Sequence, residues 1–259
     1  MKTLSDHYEE IYERVSLINQ QEDEKEVEFF ADLVNSEQKL DILDLGCAEG
    51  KLSIKLALRG HRVTATDISQ GFLNKTLKLA AEDKVKVAII KCNIEEGISE
   101  FGQQKFDAIY FMDIIEHLKN LVSALNNVRK ILKENGTLII HTPNVCEIGR
   151  FLRYLIKPKE LRNYYAPHCL GDLHLYTYDY STLEKTLNFV GFRIVEVIPT
   201  TLSLPKINMK RYKFLINFSK FLSRLFPFLS DNLLVKCKKE KPIDVDQQIL
   251  FWAKQHKIN

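Results

Sequence analysis

The chain has 259 residues, of which 45% are hydrophobic and 27% charged, and this composition excludes disordered, collagen-like and disulfide-scaffold proteins. Its 37 basic and 34 acidic side chains leave a net charge of only +3, which argues against a polyanionic partner for the whole chain. The five cysteines form no Cys-x-x-Cys pair, so we expect neither a disulfide framework nor a cysteine zinc site. The polar, acidic first 20 residues do not resemble a signal peptide. Because no apolar run approaches the roughly 20 residues that span a bilayer, we expect a cytoplasmic protein that is at most membrane-peripheral.

The first two predicted elements are helices near 5–18 and 22–35, and we expect residues 1–36 to form an N-terminal helical cap. Short apolar runs then alternate with helical segments. The apolar runs lie at 40–45, 62–66, 85–90, 106–112 and 136–141, and the helical segments lie near 50–59, 70–82 and 118–133. This alternation is typical of a parallel sheet covered by helices. We therefore predict a doubly wound α/β fold.

The α/β pattern stops over residues 143–178, which are rich in Tyr, Arg, Lys and His. A stretch of this length at the edge of a sheet favours a lid or substrate insertion. The elements predicted after it are a helix near 180–190, a strand near 193–197, a basic amphipathic helix over 209–229, a strand over 232–237 and a tail helix over 242–259. Residues 37–241 are therefore expected to form one catalytic domain.

The most informative segment is residues 41–51, where an apolar strand runs into a glycine-bearing turn and then a helix. A P-loop needs four residues between its first glycine and Gly-Lys, followed by Ser or Thr. Here only three residues separate Gly46 from Gly50, and a leucine follows Lys51. A dinucleotide fingerprint needs glycine where Ala48 and Lys51 stand. Neither phosphate-binding motif fits this loop.

What remains is an acidic residue before the first glycine, Asp44, and a second one, Asp67, at the end of the next strand. A carboxylate at that strand end can accept hydrogen bonds from both hydroxyls of a ribose. The absence of a diphosphate-binding loop suits a nucleoside that carries no phosphate. S-adenosylmethionine (SAM) is such a nucleoside, although Asp67 alone would also suit a turn cap.

Four segments together resemble the class I SAM-dependent methyltransferases, and the resemblance covers about residues 35 to 200. They are ILDLGCAEG at 42–50, VTATDIS at 63–69, KCNIE at 91–95 and FDAIYFMDIIEHL at 106–118. The resemblance implies a Rossmann-like methyltransferase fold with a mostly parallel seven-stranded sheet, and SAM as the cofactor. It also implies that the glycine loop lies against the methionine part of SAM, through Gly46, Cys47, Ala48 and Gly50, and that Asp44 orients the amino end.

The same resemblance implies contacts for the rest of the cofactor. Asp67 would hold the ribose, and Ile68 would pack on the adenine. Asn93 stands where the family often has Asp, so it would face the adenine amino group, and Ile94 would donate its backbone N–H. A plain turn residue is the alternative interpretation of Asn93.

Met112 and Asp113, at the tip of the fourth predicted strand, would border the methyl group in the same family pattern. Asp113, Glu116 and His117 also cluster at this strand-to-helix turn, where carboxylate and imidazole groups are suitable ligands for a divalent metal. The segment resembles ubiquinone-pathway and small-RNA 2′-O-methyltransferases, which carry Glu-x-x-Glu-His here and use it for a metal such as magnesium. His174 or His168 would supply a further ligand. The alternative is that Glu116 and His117 only cap the following helix.

Methyl transfer to a hydroxyl requires a proton acceptor, and His117, His174 and His141 are the candidates by residue type and placement. We predict a SAM-dependent O-methyltransferase that acts on a small or lipid-linked acceptor. The alternatives are a metal-assisted RNA 2′-O-methyltransferase and a catalytically degenerate methyltransferase-fold binding subunit. The sequence contains no recognisable RNA-binding module, so nucleic acid is not expected as a partner, and we expect a monomer or a homodimer.

The basic and acidic side chains are unevenly distributed along the chain, although the net charge is small. Residues 1–204 carry 25 basic and 30 acidic side chains, residues 205–241 carry 10 and 2, and residues 242–259 carry 2 and 2. The positive block coincides with the amphipathic helix predicted over 209–229, whose apolar face is rich in aromatic residues. Such a helix suits a membrane interface or an anionic or lipid-linked acceptor. The alternative is a helix packed on the sheet or on a dimer partner, with a solvated cationic face.

Overall fold

The computed structural model describes residues 24–34, 36–98, 101–147, 175–200 and 221–242. The helix predicted near 5–18, most of the 143–178 insertion, most of the 209–229 helix and the 242–259 tail helix lie outside these residues. Within the described part, no helix has the length and apolar character needed to cross a membrane.

The helices and strands are named here in chain order. They are α1 Glu24–Asp32, β1 Asp41–Leu45, α2 Lys51–Leu58, β2 Arg62–Asp67, α3 Gln70–Glu82, β3 Val87–Lys91, β4 Phe106–Met112, α4 Leu121–Ile131, β5 Leu132–Pro143, α5 Tyr180–Phe189, β6 Phe192–Ile198, the 3₁₀ helix Pro227–Leu229 and β7 Asn232–Lys239. Most of these elements lie where hydrophobic periodicity places them. Local signals mark the starts of three helices: Gly50 precedes α2, and the side chains of Ser69 and Asp179 cap α3 and α5.

The junction of α4 and β5 differs from the prediction. The sequence pattern extends the helix to residue 133 and starts the strand at Gly136, whereas α4 ends at Ile131 and β5 starts at Leu132. Leu132 is completely buried, and the Lys133 ammonium donates to both carboxylate oxygens of Asp107 at 2.9 Å. These tertiary contacts outweigh the helix propensity of the polar residues that follow α4.

The strands are ordered β3-β2-β1-β4-β5-β7-β6 in one seven-stranded sheet. β1 pairs in parallel with β2 and with β4, β2 pairs in parallel with β3, and β6 and β7 are antiparallel. The predicted doubly wound, mostly parallel sheet is therefore confirmed. The strand order reverses between β1 and β4, and α/β sheets bind ligands outside the carboxyl ends of the strands at such a point.

The chain forms two compact units. The first comprises the described residues up to Met112 together with Asn127–Ile139. Strands β1, β2 and β4 are buried almost continuously, as expected for parallel strands covered on both faces, whereas the edge strand β3 is half-buried to exposed. Fully buried side chains of this unit include Ile42, Leu43, Ala65 and Ile109. Ion pairs join α1 to α2 in this unit, from Glu28 to Lys55 and Arg59 and from Asp32 to Arg59.

The second unit comprises Asp113–Asn126 and the described residues from Ile140 onward. Fully buried side chains of α5, β6 and β7 include Leu187, Phe192, Leu233 and Val235. Asn144 follows β5 and is also completely buried. Its side-chain amide donates to the carbonyls of Phe228 and Ser230 at 2.9 and 2.7 Å. This one residue therefore ties the chain before β7 to the end of β5.

Candidate functional site

The loop after β1 folds back over the end of β2 within the first unit. Three of its residues have positive φ, with values of 74° at Gly46, 46° at Ala48 and 79° at Gly50. The N–H groups of Gly46 and Cys47 both donate to the carbonyl of Thr66 at 2.8 Å. Positive φ suits glycine and is less favourable for alanine, so Ala48 is the position of the loop where the sequence and the backbone agree least.

Gly50 ends the loop and caps the N-terminus of α2. A Cβ at this position would overlap three side-chain atoms of Thr76, the farthest of which lies at 2.7 Å. Thr76 itself donates to the carbonyls of Phe72 and Ala48 at 3.0 and 3.3 Å. Glycine is therefore required at position 50 both by backbone conformation and by the close approach of α3.

Asp67, the last residue of β2, joins two loops. Its Oδ2 accepts the N–H of Ala48 at 3.0 Å, and its Oδ1 accepts the N–H of Ser69 at 2.8 Å. The residue is only 8% exposed. These two contacts fix the orientation of the carboxylate at the end of β2, and its contact with ribose hydroxyls stays a prediction.

Asp44, inside β1, and Cys47, in the loop after it, both have contacts within the first unit. Asp44 is buried, and its Oδ2 accepts the hydroxyl of Ser53 at 2.6 Å. Burial, together with the neighbouring carboxylates of Asp44 and Asp67, raises the pKa of the Cys47 thiol. The thiol therefore stays protonated and packs as an apolar group. Contacts of these two residues with a cofactor remain predictions.

The turn after β3 holds the residues predicted to contact adenine. The side chain of Asn93 accepts the N–H of Glu95 at 3.2 Å and donates to Glu96 Oε1 at 2.7 Å. These two hydrogen bonds make Asn93 a turn residue, and its contact with adenine stays a prediction. Ile94 is buried, and its carbonyl accepts the Asn127 side-chain amide at 2.8 Å. Ile68 and Met112 are half-buried, at the ends of β2 and β4.

Asp113 and His141 form a close pair in the second unit. His141 Nδ1 lies 2.9 and 3.0 Å from the two carboxylate oxygens of Asp113. The N–H of Asp113 donates to the carbonyl of His141 at 2.9 Å. Asp113 has a φ of 50°. The structure thus brings together two residues that the sequence analysis assigned to different roles.

Glu116 binds a different partner. It is 1% exposed, and its Oε2 accepts the hydroxyl of Thr142 at 2.9 Å. Its carbonyl accepts the N–H groups of Leu175 and Tyr176 at 2.7 and 3.2 Å. His117 is half-buried next to it, and its N–H donates to the carbonyl of Ile114. Glu116 therefore anchors the chain where it leaves the insertion.

The structure does not assemble the expected metal centre. Among the residues that it describes, no three His, Cys, Asp or Glu side chains are grouped so that they could hold a metal ion. Asp113 pairs with His141, and Glu116 accepts the hydroxyl of Thr142. The two candidates for the further ligand, His174 and His168, lie outside the described residues, and His174 is also a general-base candidate.

The residues that hold the predicted site residues in place were not predicted from the sequence. They are Ser53 beside Asp44, Ser69 beside Asp67, Thr76 beside Ala48 and Asn127 beside Ile94. Ser69 carries a local signal, because it is the N-cap of α3 and accepts the N–H of Phe72. The other three lie inside helices, where no local pattern marks a contact with a distant loop.

A family model described as "Methyltransferase domain" matches residues 36–177 of the chain. The ubiquinone biosynthesis O-methyltransferase of Rickettsia conorii is 31% identical over 187 residues, which are 72% of this chain and 57% of that protein. The protein of the same name from Rickettsia bellii is 30% identical over 151 residues, which are 58% of each. The chain thus spans less than two thirds of the length of these curated relatives.

Solved structures share the fold. Magnesium protoporphyrin IX methyltransferase from Synechocystis PCC 6803, with bound SAH, has a TM-score of 0.55 at 15% identity over 93% of this chain and 89% of that one. A SAM-dependent methyltransferase from Archaeoglobus fulgidus has a TM-score of 0.53 at 16% identity, with coverages of 82% and 94%. The strand order, the glycine loop joined to Asp67 and the family match over more than half of the chain agree. The chain therefore belongs to the methyltransferase domain family, within the class I SAM-dependent methyltransferases.

Proposed function

We propose that this protein transfers a methyl group from SAM to a hydroxyl oxygen of a small or lipid-linked acceptor. The observation that carries the proposal is the Asp67 carboxylate, which is held between the loops after β1 and β2 by the N–H groups of Ala48 and Ser69. Transfer to a hydroxyl oxygen is supported by the curated relatives, which are O-methyltransferases at about 30% identity. No specific observation favours the metal-assisted RNA alternative, since no three His, Cys, Asp or Glu side chains of the described residues are grouped so that they could hold a metal ion.

The donor set of the first unit fits SAM. Gly46 has no side chain and a φ of 74°, so the loop offers backbone to a ligand there, and Asp67 offers an oriented carboxylate for two ribose hydroxyls. Asn93 and the backbone of Ile94 follow β3, where the adenine would be held. When bound, SAM supplies a methyl group on a positively charged sulfur. The chain itself contributes orientation and exclusion of water, which account for most of the acceleration in such transfers.

Calorimetric titration with S-adenosylhomocysteine tests this proposal. We expect the wild-type chain to bind, and Asp67→Ala to lower the affinity at least about tenfold, because a hydrogen bond to a charged group contributes roughly 1.5–3 kcal/mol. The matched control is Asp83→Ala, which removes an exposed carboxylate after the end of α3 and should leave the affinity unchanged. If the wild-type chain binds no S-adenosylhomocysteine, the proposal fails.

We propose that this protein binds a lipid-linked acceptor at an anionic membrane surface. Four large apolar side chains are exposed together in residues 221–228: Phe221 by 57%, Leu225 by 54%, Phe226 by 45% and Phe228 by 47%. Phe226 and Phe228 contact each other edge to face, with ring centroids 6.2 Å apart. The surrounding stretch, residues 205–241, carries 10 basic and 2 acidic side chains. Exposed aromatic rings within a cationic stretch favour an anionic interface.

Vesicle flotation tests the membrane contact. We expect the chain to float with vesicles that contain phosphatidylglycerol and to stay behind with pure phosphatidylcholine. The double variant Phe226→Ser/Phe228→Ser should lose most of the flotation. The control Leu58→Ser/Leu77→Ser removes two side chains that are 55% and 48% exposed elsewhere and should float like the wild type. Equal flotation of both double variants would contradict the proposed contact.

A further inference from the structure

The backbone N–H and carbonyl of Ala48 are held by side chains from two different elements of the first unit. The N–H donates to Oδ2 of Asp67, at the end of β2, at 3.0 Å. The carbonyl accepts the hydroxyl of Thr76, on α3, at 3.3 Å. Ala48 stands in the middle of the loop that is proposed to bind SAM, so these two contacts fix that loop from β2 and from α3.

The backbone conformation of Ala48 depends on such contacts. Its φ of 46° lies in the left-handed region, which glycine adopts freely and alanine does not. Unfavourable backbone conformations persist where the surrounding structure enforces them. An alanine that relaxed to negative φ would turn its N–H away from the Asp67 carboxylate. The contacts with Asp67 and Thr76 therefore keep Ala48 in the conformation in which its N–H reaches that carboxylate.

Thr76 is packed directly against the loop. It is completely buried, and it occupies the space that a Cβ at Gly50 would need. Its hydroxyl carries a single proton, for which the Phe72 carbonyl at 3.0 Å, one turn earlier in α3, competes with the Ala48 carbonyl. A threonine can make the contact with Phe72 in any helix, whereas the contact with Ala48 depends on the close approach that Gly50 permits.

We propose that Thr76 is a positioning residue for the cofactor, because its hydroxyl holds Ala48 at positive φ and so keeps the loop and the Asp67 carboxylate in the geometry that binds SAM. This inference rests on the proposed SAM-dependent function. It implies two states of the loop, one with Ala48 bound to Asp67 and one with Ala48 relaxed. Because only the first state binds, the apparent Kd rises as the fraction of molecules in that state falls. Loss of the Thr76 hydroxyl therefore weakens binding, although Thr76 is not among the predicted cofactor contacts.

The first test is calorimetric titration of the full chain with S-adenosylhomocysteine. We expect Thr76→Val, which keeps the size and branching of the side chain, to raise Kd about five- to tenfold, as for loss of one hydrogen bond. Thr76→Ser keeps the hydroxyl, so its Kd should stay within about twofold of the wild type, although loss of a buried methyl group makes this variant easier to unfold in urea.

Thr186→Val is the matched control for the first test. The Thr186 hydroxyl donates to the Thr182 carbonyl, one turn earlier in α5, at 2.8 Å, as Thr76 does to Phe72 in α3. This variant therefore loses the same contact within a helix but no contact with the glycine loop, and we expect its Kd to equal that of the wild type.

The second test repeats the Thr76→Val titration in the Ala48→Gly background. Glycine adopts positive φ without a steric penalty, so loss of the Thr76 hydroxyl should raise Kd less than about twofold there. A role of Thr76 in packing alone would give the same increase in both backgrounds. Amide hydrogen exchange at Ala48 reads the loop without any ligand, and it should accelerate in Thr76→Val but not in Thr186→Val.

The outcomes separate this inference from the proposed function. An unchanged Kd in Thr76→Val, an equal loss in Thr76→Ser, an equal loss in the Ala48→Gly background or unchanged exchange at Ala48 would each overturn the inference and leave the proposed function intact. Absence of S-adenosylhomocysteine binding by the wild type would instead overturn the proposed function, and the cofactor role of Thr76 with it.

Discussion

Oδ2 of Asp67 accepts the backbone N–H of Ala48 at 3.0 Å, so the carboxylate at the end of β2 holds the loop that follows β1. Its other oxygen accepts the N–H of Ser69 at 2.8 Å. One side chain therefore controls the relative position of two loops in the proposed SAM site. The loss of either contact should lower both the free energy of unfolding and the affinity for the ligand.

Asp67→Asn should lower the free energy of unfolding by about 1–3 kcal/mol, because the amide offers only one acceptor oxygen and leaves one N–H without its partner. Urea unfolding measures this loss. Asp83→Asn alters an exposed carboxylate and should change stability by less than about 0.5 kcal/mol. Equal stability of the two variants would show that the Asp67 contacts do not hold the loops.

Gly50 and Gly60 offer a matched pair for the glycine loop. Both have positive φ, at 79° and 92°, but a Cβ at Gly60 would meet no atom within 4 Å, whereas one at Gly50 would overlap Thr76. Gly60→Ala should lower the free energy of unfolding by about 1–2 kcal/mol, because only the backbone conformation becomes unfavourable. Gly50→Ala should lower it by roughly 1–3 kcal/mol more, because the new methyl group also overlaps Thr76. Urea unfolding of both variants checks the difference, and equal losses would refute the close packing at Thr76.

His61 should make the first unit sensitive to mild acid. Its Nδ1 accepts the N–H of Leu40 at 3.3 Å, and burial, with a smaller contribution from Arg59, lowers the pKa of His61 below its usual value of 6.5. The unfolded state then binds a proton at His61 more readily than the folded state does. The stabilisation provided by the neutral His61 ring is therefore fully present above pH 6.5 and is lost as the pH falls through the folded-state pKa. His61→Asn keeps an acceptor oxygen but cannot titrate. Urea unfolding at about pH 7 and 5 should show a smaller loss in this variant than in the wild type, and an identical loss would contradict the prediction.

Asn144 should be a major determinant of stability in the second unit. Its amide donates to Phe228 and Ser230, and its Oδ1 accepts the N–H of Cys146 at 2.9 Å. Asn144→Ala removes all three bonds from a completely buried site, and we expect a loss of about 3 kcal/mol. Amide hydrogen exchange should accelerate at Cys146 in the variant. Asn74→Ala, on the exposed face of α3, should change stability by less than about 0.5 kcal/mol.

Elements with strong local signals were predicted from the sequence with little error. β4 spans residues 106–112 and α3 spans 70–82, as the apolar run and the helical period indicate. The junction of α4 and β5 was predicted wrongly, because the burial of Leu132 and the pairing of Lys133 with Asp107 depend on residues that are distant in sequence. Local propensity carries no information about such contacts.

The candidate site shows the same division. The glycine loop and Asp67 were recognisable from the sequence. Positive φ favours glycine at particular positions of the loop, and the carboxylate stands at a fixed spacing from the loop, at the end of the next strand. The clustering of Asp113, Glu116 and His117 in sequence suggested a metal centre, but proximity along a turn does not fix where side chains point. Asp113 pairs instead with His141, and Glu116 with Thr142.

By itself, the sequence determined the α/β class, the order of the strand-end motifs and the methyltransferase family, because these depend on hydrophobic period and on residue types that backbone geometry requires. Only the tertiary structure decided which acid meets which histidine. Asp113 and His141 lie 28 positions apart on different strand ends, and a contact of this kind exists only after the strands have come together. The same folding step left the Asp113 carboxylate exposed and buried the ring of His141.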